Sequence, residues 1–269
     1  MDDFDLDGGG GFEAHVALGE GDGDAGLVER LGEAVGGVVL LGRNTERPRR
    51  LQRTLAALQY LSRIPLLVAI DQEGGRVCRL RACIRPFPGS MALGATAGLA
   101  KDPARWRQAA GLTYKQCLAQ GRALQHIGIN WNLAPVLDVN SNPRNPIIGT
   151  RSFGESAELV AHLGAAAVSG YRDAGILCCA KHFPGHGDTE VDSHYGLPVI
   201  QKSTQEMWLS DLVPYRALCA GPLLPAIMTT HIVFPAMDPL NPATTSEHIL
   251  TGLLRQQLGY SGLIVTDCL

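Results

Sequence analysis

The sequence predicts a parallel α/β fold of the (β/α)8 barrel class, incomplete because its last βα unit is missing. Three observations carry that expectation. Short continuous apolar runs alternate with longer stretches of helical spacing, the pattern of parallel strands covered on both faces. Helix start signals stand between the runs. Finally, Asp71, Asp138, Lys181, His182, His231 and Asp267 fall at or just past the carboxyl ends of successive runs. In a barrel those ends converge on one mouth, whereas an open sheet gathers them at a single switch point.

Taken in order, the strand candidates are residues 38–41, 66–70, 131–139, 176–180, 226–230 and 263–266, with a weaker one at 15–18. Pro48 followed by Leu51, Leu55, Leu58 and Leu61 gives an apolar stripe at helical spacing, with Pro suited to the first turn. Asp102-Pro103 opens a second helix, and Ser156 before Leu159, Leu163 and Ala166 a third. Ser203 with Glu206 has the spacing of a capping box. Ser246 starts a last helix carrying Ile249, Leu253 and Leu254, closed by Gly259. Trp106, Trp131 and Trp208 read as packing residues, and Cys178-Cys179 as part of a buried strand.

Composition narrows the function classes. With 23 Lys+Arg against 26 Asp+Glu, nothing in the charge balance calls for nucleic acid or an anionic membrane as partner. No apolar run approaches the roughly 18 to 20 residues that span a bilayer. The acidic, then Gly-rich start (Asp2, Asp3, Asp5, Gly8, Gly11) is the opposite of a basic secretory leader. Seven scattered cysteines with no C-x-x-C pair suit a reducing compartment, so the chain reads as soluble and cytoplasmic. Its oligomeric state stays open.

The chemistry concentrates in 181–194, KHFPGHGDTEVDSH. Lys181, three histidines (182, 186, 194) and three acids (188, 190, 192) follow directly on an apolar run, a density that a solvated turn has no use for. A metal site of His182, His186 and Asp188 is one reading, since histidines four apart share a helix face. Pro184, Gly185 and Gly187 break any helix there, and no thiolate or glutamate partner stands at a recognised spacing, so no metal or other cofactor is expected.

This segment resembles the signature loop of the β-N-acetylglucosaminidases of glycoside hydrolase family 3. The resemblance continues, in the family's order, in DQEGGRV (71–77) with Arg79, NLAPVLDV (132–139), IGTRSF (148–153) and LIVTD (263–267). It covers the chain from about Val38 onward and fits poorly before Gly36, and it treats 1–269 as one catalytic barrel domain. What it implies meets the needs of retaining glycoside hydrolysis, a carboxylate nucleophile and a proton donor near the leaving oxygen. Asp267 matches the nucleophile. The family branch is marked by an Asp-x-His dyad, here Asp192 and His194, whose imidazole gives and takes a proton near neutrality. Lys181 and His182 would bind sugar hydroxyls at the base of the pocket. Asp71, Arg79 and Arg151 would hold the hydroxyls and N-acetyl group of the terminal sugar, with Arg76 in support. For Arg76 and Arg79 the rival is a structural ion pair with Asp71 or Glu73.

The resemblance thus implies an exo-acting β-N-acetylglucosaminidase for peptidoglycan- or chitin-derived saccharides, its partner being a saccharide with β-linked N-acetylglucosamine. The enzymatic rival is a phosphorylase of the same glycosides, because a histidine acid/base repels phosphate less than a carboxylate does. A rival of another class is an inactive saccharide-binding relative, motivated by the family's eighth βα unit, for which only Cys268 and Leu269 remain.

Overall fold

A computed structural model of the chain describes residues 36–98, 100–190, 197–221 and 224–267. Six strands form one sheet: β1 Gly37–Leu40, β2 Leu67–Ile70, β3 Trp131–Asn132, β4 Leu177–Phe183, β5 Ala226–Thr229 and β6 Leu263–Val265. They are hydrogen-bonded in sequence order, every pair parallel. Each strand adds to the same edge as its predecessor, which is the winding of a barrel; a doubly wound sheet reverses direction partway. The described residues therefore form six strands and the five helical crossovers between them, an incomplete (β/α)8 barrel. The candidate strand at 15–18 lies outside them.

Period-two alternation sorts the strand residues. Leu67, Ala69, Trp131, Cys179, Ala226, Met228 and Val265 share the inner cluster. Val68, Ile70, Cys178, Ala180 and Ile227 face the main core, where the helices pack. The adjacent cysteines thus point to opposite sides of β4, both as free thiols.

The helices follow their start signals. Pro48 stands first in α1, Pro48–Leu61, which buries Leu51, Leu55 and Leu58 but leaves Leu61 exposed, so the apolar stripe ends a turn early. After the short α2, Ser90–Thr96, comes α3, Pro103–Ile127, whose cap Asp102 accepts from the Ala104 amide at 2.8 Å. Ser156 accepts from the Leu159 amide at 3.3 Å and opens α4, Ala157–Asp173. At α5, Thr204–Leu209, Ser203 Oγ accepts from the Glu206 amide at 3.2 Å while Glu206 accepts from the Ser203 amide at 2.7 Å, completing the capping box. Then come α6, Leu212–Cys219, and α7, His248–Gln257. Ser246 still accepts from the Ile249 amide at 3.2 Å, but α7 is wound as a π-helix, which apolar spacing did not foretell. Among the described residues no helix is long and apolar enough to cross a membrane.

Two strand boundaries differ from expectation. Of 131–139 only Trp131–Asn132 is regular strand. Pro135 has no N–H to give a ladder and the path bends there, although Pro135 O still accepts from Lys181 N at 3.1 Å and Val136 bridges Lys181. These contacts prolong β4 beyond Ala180 to Phe183, so Lys181 and His182 belong to the strand and not to the loop after it.

Helices α3 and α4 approach closely at Gly170. A Cβ on Gly170 would lie 2.6 Å from Tyr114 O and 2.9 Å from Cys117 Cβ. Gly170→Ala should therefore force the helices apart and destabilise the chain by about 1–3 kcal/mol. A lower urea midpoint at unchanged slope is the expected result.

Candidate active site

The alternation that builds the sheet also places the charges. Asp71, Lys181 and Asp267 each stand two residues beyond an inward-facing residue, Ala69, Cys179 and Val265. Lys181 Nζ lies 2.6 Å from Asp71 Oδ1 and 2.8 Å from Glu73 Oε1. Glu73 shares the parity of Asp71 and is clasped from its other side by Arg151, with Nε to Oε2 at 2.9 Å and Nη2 to Oε1 at 2.8 Å. Gln72, between the two acids, turns the opposite way. Its Oε1 accepts from the Arg79 and Leu80 amides at 2.8 and 3.1 Å. Its backbone is gripped by Asn132, which accepts from Gln72 N at 3.0 Å and donates to Gln72 O at 2.9 Å. Clamping Gln72 fixes the neighbours on either side of it.

A second arm joins at Arg151, whose Nη2 is 3.4 Å from His182 Nε2. The other ring nitrogen, Nδ1, lies 2.7 Å from Asp138 Oδ2, while Asp138 Oδ1 accepts from the amides of His182 at 3.2 Å and His186 at 2.7 Å. His182 Nε2 is 4.0 Å from Asp267 Oδ2. The array is most open at two places: the side chains of Asp71 and Asp267 keep 23% and 25% exposure, against 13% for Arg151 and 3% for Lys181, Glu73 and His182. Two carboxylates thus reach the mouth on a rigid base of cations and imidazole.

Burial raises the carboxyl of Glu73, but Lys181 and Arg151 overcome it and hold the group well below the usual carboxylate range. Burial disfavours the Lys181 ammonium, yet Asp71 and Glu73 raise its pKa above the ordinary value. Burial likewise opposes ionised Asp138, and His182 more than compensates, so its pKa is lowered. These groups keep their charges at neutral pH.

After β4 the chain packs against the residues that follow β3. A Cβ on Gly187 would overlap the Val139 carbonyl, so the segment lies flat on the end of the preceding βα step. Asn145 donates to His186 O at 2.8 Å, and His186 Nδ1 meets Thr189 Oγ1 at 2.9 Å. Of the three residues weighed as metal ligands, His182 bonds to Asp138 through both its ring and its amide, His186 bonds through its amide, and Asp188 pairs with Ser141 and Lys202. Among the described residues no group of three His, Cys, Asp or Glu side chains is placed to hold a metal ion.

The structure brings together Asp71, Lys181, His182, Arg151 and Asp267 from the sequence-predicted set. Asp192 and His194 lie outside the described residues. Arg79 is exposed just past the antiparallel hairpin of Gln72–Gly74 and Val77–Cys78 that follows β2, and its backbone, not its guanidinium, ties into Gln72. The rival ion pair of Arg76 or Arg79 with Asp71 or Glu73 does not form, because Lys181 and Arg151 already occupy those carboxylates. Two residues of the array carry no predicted role. Glu73 is signalled by its parity with Asp71, and Asp138 by its position at the end of an apolar run.

Burial, with the His182 ring beside it, pushes the His186 imidazole down to about 4. An unfolded histidine titrates near ~6.5, so between these values only the unfolded chain takes the proton. Stability should be intact above pH ~6.5 and decline by up to about 3 kcal/mol as pH falls toward 4. Urea midpoints at pH 7 and 5 should differ more for the natural chain than for His186→Gln, which keeps the backbone bond to Asp138.

Residues 28–269 match the glycosyl hydrolase family 3 N-terminal domain, so the match starts some way before Gly36. Beta-hexosaminidase A of Pseudoalteromonas piscicida is 41% identical over 87% of this chain and 41% of its own length. Beta-hexosaminidase of Alkalilimnicola ehrlichii is also 41% identical, over 87% of this chain and 65% of its own. The chain thus spans roughly two fifths to two thirds of these relatives. A glycoside hydrolase family 3 beta-N-acetylglucosaminidase from Paenibacillus superposes with a TM-score of 0.83 at 43% identity, covering 94% of this chain and 46% of that one. NagZ from Neisseria gonorrhoeae, in complex with N-trifluoroacetyl-D-glucosamine, does so at 0.80 and 34%, covering 87% and 67%. With its barrel winding, its charged mouth and a family match over most of its length, the chain belongs to the glycosyl hydrolase family 3 N-terminal domain family.

Proposed function

We propose that the protein is a retaining exo-β-N-acetylglucosaminidase that removes terminal N-acetylglucosamine from peptidoglycan- or chitin-derived saccharides. The observation that carries this reading is Asp267, a partly open carboxylate 4.0 Å from His182 at the end of the buried array. Relatives named beta-hexosaminidase, and a structural neighbour holding an N-acylated glucosamine, support the sugar class.

In the first step the Asp267 carboxylate attacks the anomeric carbon while the leaving oxygen takes a proton from His194, whose ring Asp192 orients. A glycosyl ester on Asp267 results. Water then attacks the same carbon, His194 accepts its proton, and the sugar leaves with retained configuration. Lys181 and His182 would bind sugar hydroxyls at the base, and Asp71, Arg79 and Arg151 would hold the hydroxyls and N-acetyl group of the terminal sugar. The array carries four carboxylates, Asp71 and Asp267 at the mouth and Glu73 and Asp138 buried beneath it, against the fixed cations Lys181 and Arg151. That excess stabilises the positive charge that develops on the sugar and repels a phosphate nucleophile, which favours hydrolysis over phosphorolysis.

Turnover of a chromogenic N-acetylglucosaminide by this chain tests the reading directly, and Asp267→Ala should abolish cleavage while N-acetylglucosamine binding survives. A peptide trapped as the glycosyl ester should contain Asp267; labelling at Asp138 or Asp188 would reassign the nucleophile. His194→Ala should slow substrates with poor leaving groups by about 100-fold or more and activated aryl glycosides far less, since only the former need protonation. Asp192→Asn should act in the same direction more mildly. Equal losses on both substrate types would mean that the loop acts only as a scaffold.

A further inference from the structure

Beyond its charge Asp138 has no assigned part in this chemistry, yet it is wholly buried and accepts three hydrogen bonds from one short segment. Its Oδ1 takes the amides of His182 and His186, which can only donate, so the carboxylate cannot be turned round. That leaves Oδ2 facing His182 Nδ1 at 2.7 Å. We propose that Asp138 is a positioning residue: it fixes His182 as the Nδ1–H tautomer and so leaves Nε2 an acceptor beside Asp267.

The opposite end of the ring agrees. An ionised carboxylate offers acceptors only, which obliges Nδ1 to carry the proton. The group facing Nε2 is Arg151 Nη2 at 3.4 Å, and a guanidinium offers donors only. The Nε2–H tautomer would set hydrogen against hydrogen there and carboxylate against lone pair at Asp138. Burial opposes the ionised form of Asp138, but the surrounding donors outweigh it.

The tautomer has a consequence at the mouth. His182 Nε2 is 4.0 Å from Asp267 Oδ2, near enough that a proton on Nε2 would draw that carboxylate into a hydrogen bond. With the proton held on Nδ1, the His182 ring does not compete with the anomeric carbon for the Asp267 carboxylate. This catalytic consequence rests on the function proposed above, whereas the tautomer itself does not.

Both can be read separately. Long-range proton–nitrogen spectra of the histidine-labelled chain at neutral pH should show His182 protonated on Nδ1, the signal being assigned by its loss in His182→Gln. In Asp138→Asn, the amide oxygen can keep the two backbone bonds while its NH2 presents donors to Nδ1. The ring should then switch to the Nε2–H form and turnover of a chromogenic N-acetylglucosaminide should fall by at least roughly 100-fold, the direction expected when a buried carboxylate stops setting a histidine tautomer. An Nε2–H form in the natural chain overturns the proposal, and that spectrum decides it even if Asp138→Asn fails to fold. A switched tautomer with unchanged turnover overturns the positioning role. A chain that turns over no substrate, yet shows the Nδ1–H form and its switch, refutes the proposed function while the tautomer stands.

Discussion

The ammonium of Lys181, shut between Asp71 and Glu73, is the constraint on which the rest of the mouth depends. An ion this deeply buried costs several kcal/mol in lost hydration and survives only with close, well-aligned partners. Both partners stand just past the end of another strand, β2. Satisfying Lys181 therefore fixes β4 against the end of β2, and satisfying Glu73 in turn draws in Arg151 from the loop after β3. Packed hydrophobic residues of similar volume would hold a barrel at least as well. Keeping ions at this position makes sense when their charge and hydrogen-bonding capacity are used at the opening above them.

Much of this was legible because a strand alternates with period two and because barrel strands end at one face. Asp71, Lys181 and Asp267 follow short apolar runs at like spacing, and the fold brings Asp71 and Lys181 into contact across 110 residues of chain. Caps were legible for a local reason: the bonds of Asp102, Ser156 and Ser203 span two or three residues and need no knowledge of the tertiary fold.

What sequence patterns missed depends on distant partners. Glu73 reads as one acid among others until Arg151 arrives from the loop after β3 and Lys181 from β4, both far along the chain. Asp138 ends an apolar run and could have capped a turn; only the return of the chain at 182–186 gives it three donors. The run 131–139 looks like one strand because apolarity is continuous, but a proline inside it breaks the ladder without changing hydropathy. The winding of α7 similarly left no mark, since apolar positions three to five apart serve a π-turn as well as an α-turn.

Arg151 is where the two arms of the site become one. Two of its nitrogens hold Glu73 in a fork, and the nitrogen shared with that fork also meets His182, so a shift in the Lys181 arm is felt at the ring that faces Asp267. Asp138 holds the ring from behind, and Ser152, the residue after Arg151, donates to the Asp138 carbonyl at 2.6 Å. The loop carrying Arg151 and the segment carrying His182 are thus fastened to the same aspartate. Nearly every buried polar group in the array has partners on more than one element, which leaves little freedom for any of them to relax separately. The partly exposed carboxylates of Asp71 and Asp267 are the places where this stiffness meets the opening, and preorganised charge of that kind does its work without rearranging when a substrate arrives.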